Sequence, residues 1–179
     1  MVSLVIGGAR SGKSRFAQSL GTTSRRAFYI ATARAEDAEM EVRIAEHSRN
    51  RPSHWCTIEA PLDIANAVER CCSECDFVLL DCLTIWLSNF CWQHREKSER
   101  DIETTALLEV ERAAATATKA HLVIVTNEVG CGIVPETALS RFFRDLQGRT
   151  NQVAARLADQ VFLVVAGIPV AIKQPELRP

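Results

Sequence analysis

The stretch GGARSGKS, residues 7–14, stands between the apolar run VSLVI and the segment FAQSL. Few folds tolerate that order. An apolar run, a glycine-rich turn and a helix start bring backbone N–H groups together at a helix N-terminus, where an anion is stabilised. Gly7, Gly12, Lys13 and Ser14 satisfy the pattern G-x-x-x-x-G-K-[ST], which marks a loop that cradles nucleotide phosphates. In such a loop Lys13 neutralises the β- and γ-phosphates and Ser14 offers its hydroxyl to Mg²⁺. The plainer alternative, a glycine-rich turn without ligand, leaves the lysine and serine unexplained.

Further short apolar runs at 28–31, 77–80, 122–125 and 161–165 read, with 2–6, as buried strands. Between them lie segments of helical spacing. In ETALSRFFRDLQGRTNQVAARLAD, the residues Leu139, Phe142, Phe143, Leu146, Val153 and Leu157 fall near one face. The alternation predicts an α/β fold with a mostly parallel central sheet flanked by helices. PVAIK, after Gly167, adds a short C-terminal edge strand, with Pro169 at its start and Lys173 suited to an exposed edge. Its direction is not readable. The polar stretch QHREKSERD, residues 93–101, is expected as an exposed connection.

With 179 residues the chain suits a single catalytic domain, 1–179. Its 47% hydrophobic content, 24% charged content and net charge of −1 give no basis for a nucleic-acid partner. Seven cysteines, an odd number, fit a reducing and hence cytoplasmic setting better than a disulfide framework. The start MVSLVIGG lacks the features of a signal peptide, and no apolar run approaches the ~20 residues of a membrane span.

A phosphate loop needs an acidic partner at the end of a neighbouring strand, to hold the metal or its waters. FVLLD supplies Asp81, which could equally cap the next helix. TNEVG places Asn127 and Glu128 on the same strand-end edge, facing a ligand or forming a polar turn. His47 shares helical spacing with Met40 and Ile44, as a packing histidine would. Against this, Arg43, Arg49 and Arg51 surround it with positive charge, and a neutral imidazole attacks phosphorus competently. Local sequence leaves these two readings even. His54, His94 and His121 read as structural or surface residues. Cys72 and Cys75 form a C-x-x-C without a second pair, so a metal site there is not expected. Glu59, in TIEAP, follows a short strand-like piece and by itself reads as a surface or cap residue.

Together, GGARSGKS, YIATA, EMEVRIAEHSRNRPSHW, LLDCLTIWLSN, TNEVGCGIVPE and GRTNQVAARLAD followed by VFLVVAGIPVAIK resemble the bifunctional adenosylcobinamide kinase/adenosylcobinamide-phosphate guanylyltransferase family of cobalamin biosynthesis. The resemblance covers nearly the whole chain. It implies a P-loop NTPase-like (RecA-like) fold and a homotrimer with the nucleotide near a subunit boundary. It also implies two reactions: phosphorylation of adenosylcobinamide with ATP or GTP, then transfer of GMP from GTP to adenosylcobinamide phosphate, giving adenosylcobinamide-GDP and pyrophosphate. By the RIAEH motif, His47 becomes the guanylylated nucleophile, with Lys13 as its catalytic companion. The implied nucleotide contacts are Gly7, Gly8, Ala9, Arg10, Ser11, Gly12, Lys13, Ser14, Ala31, Thr32, Ala33, Ser48, Arg49, Asn50, Arg51, Glu59 and Asp81, with Ser14 and Asp81 toward Mg²⁺.

Two other functions fit parts of the pattern. A P-loop small-molecule kinase without covalent chemistry would need Lys13 and Asp81 but be indifferent to His47. A nucleotide-switched regulatory module would turn over no corrinoid acceptor. The motifs beyond the loop favour the bifunctional enzyme over both.

Overall fold

The computed structural model describes residues 1–35, 38–49, 51–117 and 119–174; within helix α2 the side chains at 39, 43 and 47 lie outside the description. The elements follow in the order β1 (Val2–Gly7), α1 (Lys13–Ser19), β2 (Ala27–Ala31), α2 (Ala38–Arg49), β3 (Cys56–Glu59), α3 (Ile64–Glu74), β4 (Phe77–Asp81), α4 (Leu83–Gln93), α5 (Glu99–Thr116), β5 (His121–Asn127), α6 (Ala138–Leu157), β6 (Gln160–Val165) and β7 (Ile168–Lys173). The strands form one sheet in the order β3-β2-β4-β5-β1-β6-β7. The pairings from β3 through to β6 are parallel, and β7 runs antiparallel to β6.

Strands buried on both faces need no polar alternation, which is why they read as unbroken apolar runs. Leu4 and Val5 of β1 both lack solvent exposure although they point to opposite faces. Leu4, Ile30, Leu80 and Ile124 pack beneath α3, α4, α5 and α6. On the other face Val5, Tyr29, Leu79, Val125 and Val164 meet Phe16, Ala17 and Leu20 from α1 and its end. The result is an asymmetric sandwich: among the described residues, the face that carries the 7–14 loop is covered by the short α1, with Trp55, Cys82 and Ile85 beside it.

Three expectations need revision. Leu146 and Val153 of α6 are buried, but Leu139 and Leu157 are exposed, because the ends of this 20-residue helix extend past the apolar surface it covers. The polar connection shrinks to residues 94–98, since Ser98 caps α5 by accepting a hydrogen bond from Asp101 N. Lys173 does more than decorate an edge: its ammonium donates to the carbonyls of Ala155, Arg156 and Ala158 and so caps the C-terminus of α6.

Candidate functional site

Gly7 ends β1 with neighbours on both sides, paired with Asn127 and Val164. A Cβ there would lie 2.6 Å from the Val164 carbonyl oxygen and 2.7 Å from Ser11 Oγ. No side chain fits. Gly12 holds φ at +93°, and its Cβ would meet Gly167 Cα at 3.1 Å. The loop is further pinned by Glu128 N donating to Gly7 O (3.1 Å) and Gly167 N donating to Ser11 O (2.8 Å).

Within that frame Lys13 is nearly buried, and its Nζ donates to Gly8 O at 3.0 Å. Burial lowers the pKa of its ammonium below the ordinary lysine value, while Cys82 and the Asp81 carboxylate act in the opposite direction. Ser11 Oγ is buried without a hydrogen-bond partner. An ammonium and an unpartnered hydroxyl in a glycine-rich loop at a helix start could serve a polyanion, whose oxygens are stronger acceptors than the Gly8 carbonyl.

Asp81 ends β4, which is not adjacent to β1: β5 lies between them. The sequence expectation of a neighbouring strand is therefore corrected by one place, although the Asp81 charge still acts on Lys13. Asp81 lies on the α1 face by alternation with Leu79. Its Oδ2 accepts a hydrogen bond from Tyr29 OH at 2.7 Å. Burial, then the neighbouring carboxylate, raises the Tyr29 pKa far above the ordinary phenol range, so the group is a fixed donor. The Arg51 guanidinium sits 3.8 Å from the Tyr29 ring centroid, with Nη1 donating to Thr57 Oγ1 at 3.2 Å.

Two sets of buried polar side chains hold this edge in register. Thr32 Oγ1 donates to Cys82 O (2.8 Å) and accepts from Cys82 N (2.9 Å), while Asn89 Nδ2 donates to Thr32 O (2.8 Å). Thr32 is fully buried, which makes it a lock between strand ends; its hydroxyl is engaged as donor and acceptor. Beneath β5, Asn151 Oδ1 accepts from Thr126 Oγ1 (2.7 Å) and Gln147 Nε2 (2.8 Å), and Asn151 Nδ2 donates to Asn127 O (3.0 Å). Thr84 Oγ1 accepts from Asn127 N at 2.8 Å. The Asn127 peptide is thus clamped on both sides, and its side-chain Oδ1 is buried without a partner. Tyr29 and Asn151 fall within the YIATA and GRTNQVAARLAD motifs, but local sequence gives neither a role: each is one polar residue within an apolar strand or an amphipathic helix.

The remaining expected contacts lie outward from the loop. Gly8, Ala9 and Arg10 form its exposed crest, and Ser14 is half-buried at the start of α1. Ala31 and Ala33 flank Thr32. Ser48 and Arg49 are exposed at the end of α2. The His47 side chain and Asn50 lie outside the described residues. Glu59 ends the outermost strand, four places from β1, about 19 Å at the usual strand spacing. It lines a cavity of about 600 Å³ together with Asp63, Asn66 and Arg70. A second cavity, of about 510 Å³, lies by α4 and α6 and is walled by Trp92, Val129, Leu139, Phe142 and Phe143.

Of the other reactive side chains, Cys56, Cys131 and His54 are exposed, whereas Cys71, Cys72, His94 and His121 are packed. Cys71 and Cys72 are buried, and burial first of all pushes their thiols up to about 12 and about 11, away from the thiolate form that binds metals or reacts. His121 Nε2 lies 2.8 Å from Ser3 Oγ, and His94 packs edge-on against Phe90.

Comparison with known proteins bears on the same region and beyond it. The model of the family described as cobinamide kinase / cobinamide phosphate guanyltransferase matches residues 3–172. The chain is 41% identical over 181 residues to the bifunctional adenosylcobalamin biosynthesis protein CobU of Escherichia coli, covering 97% of this chain and 100% of that one. Against the protein of the same name from Salmonella typhimurium it is 42% identical over 183 residues, with the same coverage. The bifunctional adenosylcobalamin biosynthesis protein CobP of Pseudomonas aeruginosa is 41% identical over 174 residues, covering 97% of this chain and 98% of its own.

Proposed function

The chain belongs to the cobinamide kinase / cobinamide phosphate guanyltransferase family, and we propose that residues 1–179 act as one catalytic unit using one phosphate loop for both reactions. It is a bifunctional adenosylcobinamide kinase and cobinamide-phosphate guanylyltransferase of adenosylcobalamin biosynthesis. The observation that carries the shared-loop reading is the cradle itself: Lys13 held inside, the Ser11 hydroxyl without a partner, and no room for a side chain at Gly7.

In the first step the terminal hydroxyl oxygen of adenosylcobinamide attacks the γ-phosphorus of ATP or GTP. The bond to the bridging oxygen breaks, the hydroxyl proton is lost and the nucleoside diphosphate departs. Lys13 and the loop amides stabilise charge on the transferred group and on the leaving oxygen. In the second step His47 attacks the α-phosphorus of GTP and pyrophosphate leaves into the same grip, giving a phosphoramidate. A phosphate oxygen of adenosylcobinamide phosphate then attacks that phosphorus, the P–N bond breaks and His47 is regenerated.

Mg²⁺, when bound, neutralises phosphate charge, and Ser14 and Asp81 would hold it. The donor set fits a hard cation. Among the described residues, Asp81 Oδ2 is engaged by Tyr29 while Oδ1 takes no hydrogen bond. The phosphates would sit at β1 and the base would extend along the strand ends toward Ala31, Ala33, Arg51 and Glu59, a span on the scale of an extended nucleotide.

The same reading makes the protein a cytoplasmic homotrimer. Supporting an assembly, Val165, Ile168, Val170 and Ile172 expose apolar surface on the outer hairpin, where a sheet edge stands open. Among the described residues no helix is long and apolar enough to cross a membrane.

Incubation with GTP labelled at the α-phosphate should leave one GMP per chain, acid-labile and absent from His47→Ala. The same variant should keep forming adenosylcobinamide phosphate. A His47→Ala protein that labels normally overturns the covalent step, and one that loses both reactions overturns the division of labour.

A further inference from the structure

Tyr29 is a large polar side chain on a buried strand, with 2% of its surface exposed. Apolar packing alone would be served as well by phenylalanine. Its hydroxyl instead donates to one oxygen of Asp81 at 2.7 Å, leaving the other oxygen without a partner among the described residues. The ring is fixed from two sides. Its own strand pairs with β4 so that Tyr29 lies opposite Leu79, two places before Asp81, and the Arg51 guanidinium packs over the ring at 3.8 Å. Arg51 is anchored in turn on Thr57 of β3. Three neighbouring strands thereby converge on the orientation of one carboxylate.

We propose that Tyr29 is a positioning residue, which holds Asp81 by one oxygen so that the other faces the phosphate loop, and which Arg51 locks in place by stacking. The inference rests on the reading of Asp81 as the carboxylate on the metal side of the nucleotide. An unbraced aspartate at a strand end samples several rotamers. The phenol removes that freedom and keeps one oxygen available. Groups that orient metal-binding carboxylates contribute substantially to affinity although they never touch the ion.

The test is equilibrium binding of the imido analogue of GTP, followed calorimetrically over a Mg²⁺ series with the full-length protein. Tyr29→Phe, which retains the ring and the stacking, should raise the Mg²⁺ concentration for half-maximal enhancement of binding by about 10-fold. Binding without Mg²⁺ should stay unchanged, and thermal melting should confirm the fold. In kinase assays excess Mg²⁺ should restore kcat, a rescue that a tyrosine needed only for packing would not show. Asp81→Asn is measured alongside. If it shifts the Mg²⁺ midpoint and Tyr29→Phe does not, the inference about Tyr29 fails while the reading of Asp81 stands. If neither variant shifts it, the reading of Asp81 fails and takes the inference with it.

Discussion

The loop proposed to grip phosphate and the helix that carries His47 rest on unequal supports. Gly7 and Gly12 are held by β6, the β6–β7 turn and Glu128, and the strands beside them are clamped by buried Thr32, Thr84 and Asn151. In α2 none of the described residues is buried. The proposed anion grip is consequently a property of the finished sheet, whereas α2, which carries the proposed nucleophile, buries none of its described side chains fully in the core. Substitutions near the loop should alter chemistry and stability together, and those in α2 should separate the two.

The sharpest contrast comes from Lys13→Ala. Where His47→Ala should spare the kinase step, loss of Lys13 should reduce both nucleoside diphosphate release and pyrophosphate release by about 10²–10³-fold or more. A variant that loses only one would show that the two reactions use different grips. Next in size, Asn151→Ala removes the side-chain donor to the Asn127 carbonyl and the acceptor of the Thr126 hydroxyl, both in the interior. The expected cost is about 2–3 kcal/mol, a fall in melting temperature of about 5–10 °C in a chain of this size, accompanied by slower turnover.

A smaller effect is expected at His121. Burial lowers its pKa from the ordinary 6.5, so the fold favours the neutral ring. Its contribution is complete above about pH 6.5 and is lost as the pH falls through that value toward the lowered one. His121→Asn should accordingly melt with a shallower acid slope between pH 7.5 and 5.5 than the parent; equal slopes would remove the assignment. Smallest of all, Val42→Ser on the exposed side of α2 should leave stability within about 0.5 kcal/mol. A larger loss in the melting curve would mean that α2 is packed against something, and the contrast drawn above would narrow.

The loop was legible because its chemistry is local: glycines, lysine and serine at fixed spacing can only serve one turn. The inner strands were legible because burial on both faces leaves a continuous apolar run. β3 was visible only as a short strand-like piece, since an outermost strand of four residues exposes Cys56, Thr57 and Glu59. That β5 separates Asp81 from the loop could not be read, because strand order is a property of crossovers rather than of any segment. Tyr29 and Asn151 were invisible as site residues for a related reason. Their partners are 52 and 24 positions away, and only the assembled sheet brings them together.

The turn between β6 and β7 carries a further consequence. Ala166 and Gly167 both have positive φ, and this tight reversal places Gly167 against Gly12 and bonds it to Ser11. During synthesis the GGARSGKS motif emerges long before the residues that seat it. A nascent or proteolytically shortened chain would possess the entire motif and still lack its backstop. If the loop holds the nucleotide as proposed, recovery of nucleotide binding during refolding would report on docking of the C-terminal hairpin rather than on formation of the loop.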